Sequence, residues 1–247
     1  MISHTFLIKI LPPDGGMIYT ETNLKHLFPE PLNAITSALF LFLALYWLYK
    51  LRGFSVKHTF LSIATWVLLV GGIGGILYHG LRKYSFFISL DWLPILILCF
   101  LTSGWFWNKI LGGPVASVLV FASFFSVEFF TNYYYSHANS HFANNMNYSF
   151  MALMVLVPVI VYLYRTNFLH GKWVIFALLS FSFALFFRIS DKWGILQVGT
   201  HFLWHTFGAV ATACMFRFIH SLNSEVKLRI ISQNKPHESF IANRYSK

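Results

Sequence analysis

Charge is scarce in this chain. Only 11% of its 247 residues are Asp, Glu, Lys or Arg, and just eight of those are acidic. A soluble domain carries about a quarter charged residues, so a water-facing globular surface is excluded. Cysteine is nearly absent: Cys99 and Cys214 stand far apart inside apolar stretches, which excludes a disulfide framework or a Cys-rich metal site. A cleavable signal peptide is not expected either, since Lys9 interrupts the only apolar run near the start and Pro12-Pro13 follow it. No repeat and no second domain interrupt the chain. What is abundant is apolar mass: 57% hydrophobic, 19% aromatic and a mean hydropathy of +0.61. That is more apolar surface than one core can hide from water, and a bilayer is the solvent it fits.

Stretches of about 20 apolar residues cross a hydrocarbon layer as helices. Seven are expected: Pro31 to Tyr49, Thr59 to Tyr78, Phe86 to Trp107, Pro114 to Thr131, Ser149 to Tyr164, Trp173 to Arg188 and Val198 to Ile219. The expected fold is thus an all-α integral membrane bundle of seven transmembrane helices. An extracytoplasmic segment, 1–30, precedes the domain at 31–219, and a polar tail occupies 220–247. If the first span starts on side N, that side holds six of the 18 basic residues, Lys9, Lys25, Arg82, Lys83, Arg188 and Lys192. The remaining 12 fall on the other side, so by the positive-inside rule the C-terminus is cytoplasmic and side N is periplasmic or lumenal. The sequence pI of 9.7 is then an orientation and lipid-headgroup signal, and no nucleic-acid partner is needed to explain it. Acidic residues lean the other way, with only Glu225 and Glu238 in the tail. Asp91 and Glu128 lie within apolar spans, where an ionisable group is costly unless it pairs, faces a wet cavity or meets a cation.

"GTHFLWHTFGAV", Gly199 to Val210, carries His201 and His205 four residues apart. On a helix that spacing puts both imidazoles on one face, about 6 Å apart along the axis. His79 ends the second span and Asp91 opens the third, so alternating topology brings all four to the side N half of the bundle. Three histidines from two helices supply three ligands to Zn²⁺ and leave a fourth position open. Asp91 is then placed to orient a water or take its proton. The competing arrangement has the histidines bonded to backbone and Asp91 paired with Arg82 or Lys83. A second pair, His137 and His141 in "SHANSH", falls in a polar connection with no acid nearby; solvated loop histidines are expected there. The glycines at 71, 72, 74 and 75 are expected to permit close helix packing, and to let the seventh helix approach His79.

"GGIGGILYHGLRKYSFFISLDWLPIL", "FRISDKWGILQVGTHFLWH" and "ETNLKHLFPEPLNAITS" resemble the alkaline ceramidase family, seven-helix zinc amidases of the CREST group. The resemblance runs from about Glu21 to Phe216. It implies zinc on His79, His201 and His205, Asp91 as the catalytic acid/base beside the metal, and ceramide or a related N-acyl sphingoid lipid as membrane substrate. It also implies a partial calcium site from Glu21, Asn23 and Glu30, with Ile18 where an aspartate is expected. Family members carry a serine one helical turn before the span-two histidine; here that place is Gly75. Slow turnover is therefore expected, with Gly75→Ser raising it and with Thr200 or Ser89 as stand-in hydroxyls. Two other readings of the same residues are a lipid-sensing or transport bundle with a structural zinc, and an electron-transfer protein with haem between His79 and His205.

Overall fold

The computed structural model describes residues 11–113, 115–135 and 140–233. Seven α-helices account for most of them: α1 (Pro31–Leu51), α2 (Thr59–Leu81), α3 (Ser85–Leu111), α4 (Val115–Tyr135), α5 (Ser140–Arg165), α6 (Gly171–Ile189) and α7 (His201–Gln233). Single-turn 3₁₀ segments precede α2 at Val56–His58 and follow α6 at Ser190–Lys192. No strand occurs among the described residues. The protein is an all-helical bundle of the membrane type, and among the described residues six helices rather than the expected seven are long and apolar enough to span a membrane. Pro31–Leu51, Val56–Leu81, Ser85–Leu111, Tyr148–Arg165, Gly171–Lys192 and His201–Ser224 have the length and hydropathy to cross a membrane. α4 covers the expected fourth span as a helix but is not among these six.

Two boundaries also move. α5 begins at Ser140 rather than Ser149, so His141 stands on a helix and not in a loop; His137 lies outside the described residues, as does the side chain of Glu128. α7 continues to Gln233 through the start of the expected tail. Elsewhere the local signals act as read. Pro31 opens α1, where its missing N–H costs nothing. The C-cap of α1 is Arg52 in the left-handed region at φ 52°, with Gly53 N–H donating to Leu48 O at 2.8 Å.

Helices α1, α2 and α3 pack in series, α7 lies against α1 and α6, and α5 packs against α3. The glycines of α2 set this order. A Cβ at Gly72 would stand 2.5 Å from Leu41 N of α1, and one at Gly71 3.0 Å from Pro94 Cβ of α3. Gly74 meets the Leu90 carbonyl, which Pro94 leaves without its helical N–H donor four residues on. The missing side chains thus bring α2 against α1 and α3, and not against α7 as expected. In one half of the bundle the interior is mainly apolar, built around Trp47, Leu61, Phe106, Phe218 and Ile219, with the hydroxyls of Ser62, Thr65 and Ser103 hydrogen-bonded to backbone. The other half buries Asp14, Glu30, Asn33, Ser37, His79, Arg82, Asp191, His201 and His205.

Candidate metal centre

His79 lies in the last turn of α2 and is fully buried. Its Nδ1 meets Glu30 Oε2, which leaves the lone pair on Nε2. That atom is buried and has no hydrogen-bond partner. α7 carries the other two histidines. His205 Nδ1 donates to Asn33 O of α1 at 3.1 Å, with Thr36 Oγ1 and Ser37 Oγ each at 3.2 Å, so its tautomer also leaves Nε2 as the free acceptor. His201 opens α7, and its Nδ1 is buried without a partner.

The ring centroids are 4.8 Å apart for His79 with His205, 4.8 Å for His201 with His205, and 5.6 Å for His79 with His201. One ligand atom from each lies within 4.8 Å of the others. On a tetrahedral ion with Zn–N bonds of about 2.0–2.1 Å, ligand nitrogens stand roughly 3.3 Å apart, a distance that small ring rotations reach. Buried ring nitrogens with no protein donor are costly unless something binds them. Three buried histidines that hold a metal ion would remove that cost.

Acidic groups hold two of the three histidines, His79 through its ring and His201 through its backbone N–H. Asp191 Oδ1 accepts the backbone N–H of Thr200 at 2.8 Å and of His201 at 2.9 Å, capping α7 where its dipole favours a negative charge. Gly199, at φ +78°, makes room for this: a Cβ there would run into Asp191 Oδ1 and into Thr20 Cβ at 2.6 Å. Glu30 is fully buried between His79 and Arg82 and also accepts Thr22 Oγ1 at 2.6 Å. Burial alone would raise its carboxyl, but the hydrogen bond from His79 and the charges of His79 and Arg82 outweigh it and hold it below the usual carboxylate range. Arg82 in turn pairs with Asp14, Nε to Oδ2 at 2.7 Å, and donates to Met17 O at 2.9 Å. It does so from a left-handed backbone at φ 50°, a conformation that costs a non-glycine residue roughly 1 kcal/mol or more and that these anchors offset.

The segment before α1 therefore works as a strap across the site. Tyr19 stacks on His201 at 3.8 Å between centroids, and Thr20 N–H donates to Asp191 Oδ2 at 2.9 Å. The residues of the expected calcium set lie at the same place and accept protein donors. Glu21 caps α1 through Leu32 N and Asn33 N. Asn23 Oδ1 accepts Lys25 N, and Glu30 is neutralised by Arg82. Those oxygens are spent on protein donors, and the visible cation is a guanidinium.

Asp91 is not paired with Arg82 or Lys83 by any ion pair among the described residues. It opens instead onto a cavity of about 250 Å³ whose wall also holds Ser37, Tyr148, Trp204 and His205. At its far end the wall is apolar, with Phe60, Phe216 and Ile219. Gly75 makes this arrangement possible. A Cβ at that position would lie 2.8 Å from Asp91 Oδ1 and 3.0 Å from Ser37 Oγ, so a serine there crowds Asp91 and meets a hydroxyl already present. Ser37 of α1, which sequence spacing did not single out, brings that hydroxyl. Thr200 Oγ1 is committed to Phe187 O at 2.6 Å, and Ser89 does not line the cavity. Haem does not suit these rings: His79 and His205 face one another at 4.8 Å with His201 against both, leaving no slot for a macrocycle. No family model, curated protein or solved structure matches this chain.

Proposed function

We propose that the protein is a membrane-embedded zinc-dependent amidase that hydrolyses ceramide or a related N-acyl lipid to a long-chain base and a fatty acid. One observation carries the reading: an unpaired carboxylate, Asp91, shares a cavity wall with one of three buried histidines whose free nitrogens converge. A structural zinc site is closed by four protein ligands, whereas a catalytic one keeps a position open. Three histidines beside a cavity fit the second pattern.

Bound there, zinc would supply Lewis acidity to the amide carbonyl and to an attacking water. The protein supplies the rest. Asp91 accepts a proton from the water as it adds to the carbonyl carbon, then delivers it to the amide nitrogen as the C–N bond breaks. Asn33, Glu30 and Asp191 hold the three histidines in place. The apolar end of the cavity takes the acyl chain and excludes bulk water. Charge asymmetry supports a cytoplasmic C-terminus and a periplasmic or lumenal site; a reporter fused after Lys247 tests this by its accessibility from the cytoplasm.

The test of function is mass spectrometry of N-acyl lipids incubated with purified, zinc-loaded protein. Fatty acid and free amine are expected from the native chain, with a loss of about 10²- to 10⁴-fold in Asp91→Asn at unchanged zinc content. Full zinc occupancy without cleavage of any lipid in a broad panel would select the sensing or transport reading.

A further inference from the structure

The charge left over at this site is a cation. Arg188 sits in the last turn of α6, and its guanidinium carbon lies 4.3 Å from the Tyr148 ring centroid and 5.2 Å from that of Trp204. Those two rings meet edge-on at 5.0 Å, and both line the cavity that holds Asp91 and His205. Aromatic faces satisfy a guanidinium's charge in part while leaving its edge donors free. Arg188 Nε is buried and has no hydrogen-bond partner. Among the described residues no carboxylate lies within ion-pair distance of it. Glu30 and Asp14 are engaged by Arg82 and Asp191 by the start of α7; Asp91, on the same cavity wall, is the one nearby acid without an ion-pair partner among the described residues, and it is not within ion-pair distance of Arg188.

An arginine near an apolar layer is a costly choice unless it meets an anion. A favourable interaction with the carbonyl end of α6 accounts for a cation at this position. It does not account for one turned onto two cavity-lining rings with a buried donor unmet. Orientation within the cavity then indicates which part of a lipid it would meet. With the acyl chain toward Phe216 and Ile219 and the amide at His205 and Asp91, the amine-side substituent falls beside Tyr148 and Trp204, the two wall rings against which Arg188, itself not a wall residue, is stacked.

We propose that Arg188 is the receptor for an anionic group on the amine side of the amide. The preferred substrates are then N-acyl amines bearing a carboxylate or a phosphate next to the scissile bond, rather than neutral amides. This rests on the amidase reading and narrows its substrate class. A planar, forked donor pairs with either anion in two-point fashion.

Three probes of equal chain length separate the possibilities: N-palmitoylglycine, N-palmitoyl-phosphoethanolamine and the neutral N-palmitoylethanolamine. Binding is measured in zinc-loaded Asp91→Asn, where turnover is blocked, and cleavage in the native protein. At least one anionic probe should bind tenfold or more tighter than the neutral one. Adding Arg188→Gln should erase that preference, and Arg188→Lys should keep part of it. The tighter of the two anionic probes identifies carboxylate or phosphate as the group recognised. Equal binding of all three probes overturns the proposal, as does an anionic preference that survives Arg188→Gln. If Arg188→Gln does not fold, the probe preference of Asp91→Asn and its change in Arg188→Lys decide in the same way. Cleavage of neutral and anionic probes at equal rates would sink the anion receptor and keep the amidase. Selective, Arg188-dependent binding without cleavage of any probe by the native protein would do the reverse.

Discussion

The two halves of this bundle bury opposite kinds of side chain. One interior packs Trp47, Leu61, Phe106, Val159, Phe218 and Ile219 with no ion pair. The other buries three histidines, a salt-bridged arginine and three carboxylates within a few turns of helix. Van der Waals packing holds the apolar half, as is usual where lipid already surrounds the helices. In the polar half every charge must be matched, because an orphaned charge in a low dielectric is far more costly than a lost contact. The difference separates an end held by apolar packing from an end that carries the candidate metal site.

Substitutions at the two ends should therefore fail differently. Phe218 is fully buried and stacks on Phe106 with centroids 5.9 Å apart. Phe218→Ala is expected to cost roughly 3 to 5 kcal/mol of stability, the usual range for a buried phenylalanine, while the folded fraction keeps its full metal content. Thermal unfolding in detergent, paired with elemental analysis of the folded pool, checks both. Glu30→Gln acts at the opposite end. It removes the charge that holds His79 and Arg82, so metal affinity should fall by about 10- to 100-fold, as is typical when the partner of a metal-binding histidine is lost. A chelator competition series reads this directly. Unchanged affinity would mean that Glu30 serves Arg82 and the strap alone.

How much of this could be read from the sequence depends on distance along the chain. The starts of α1, α2 and α3 were legible because Pro31, the apolar runs and the turn residues act locally. The meeting of His79, His201 and His205 was legible because alternating topology fixes which end of the bundle each residue occupies. The early start of α5 was not, since the polar run before Tyr148 weakens the apolar signal without breaking the helix. The partners of the histidines were hidden as well. Glu30 stands 49 residues from His79, and Asn33 stands 172 from His205; only helix packing joins them. Gly75 looked like a missing catalytic hydroxyl, yet Ser37 from another helix faces the same space. The glycine stripe was rightly assigned to packing, but its partners are α1 and α3, a choice that depends on which carbonyl and which proline lie opposite.

The central claim is that the polar half holds one metal ion on three histidines. The most direct measurement is elemental analysis of purified native protein beside His79→Ala, His201→Ala, His205→Ala and, from the opposite end of α2, His58→Ala. About one zinc per chain is predicted for the native protein and for His58→Ala, with most of it lost in each of the other three, because three protein ligands leave none to spare. Full occupancy in His79→Ala, or no metal in the folded native protein after zinc loading, would contradict the account.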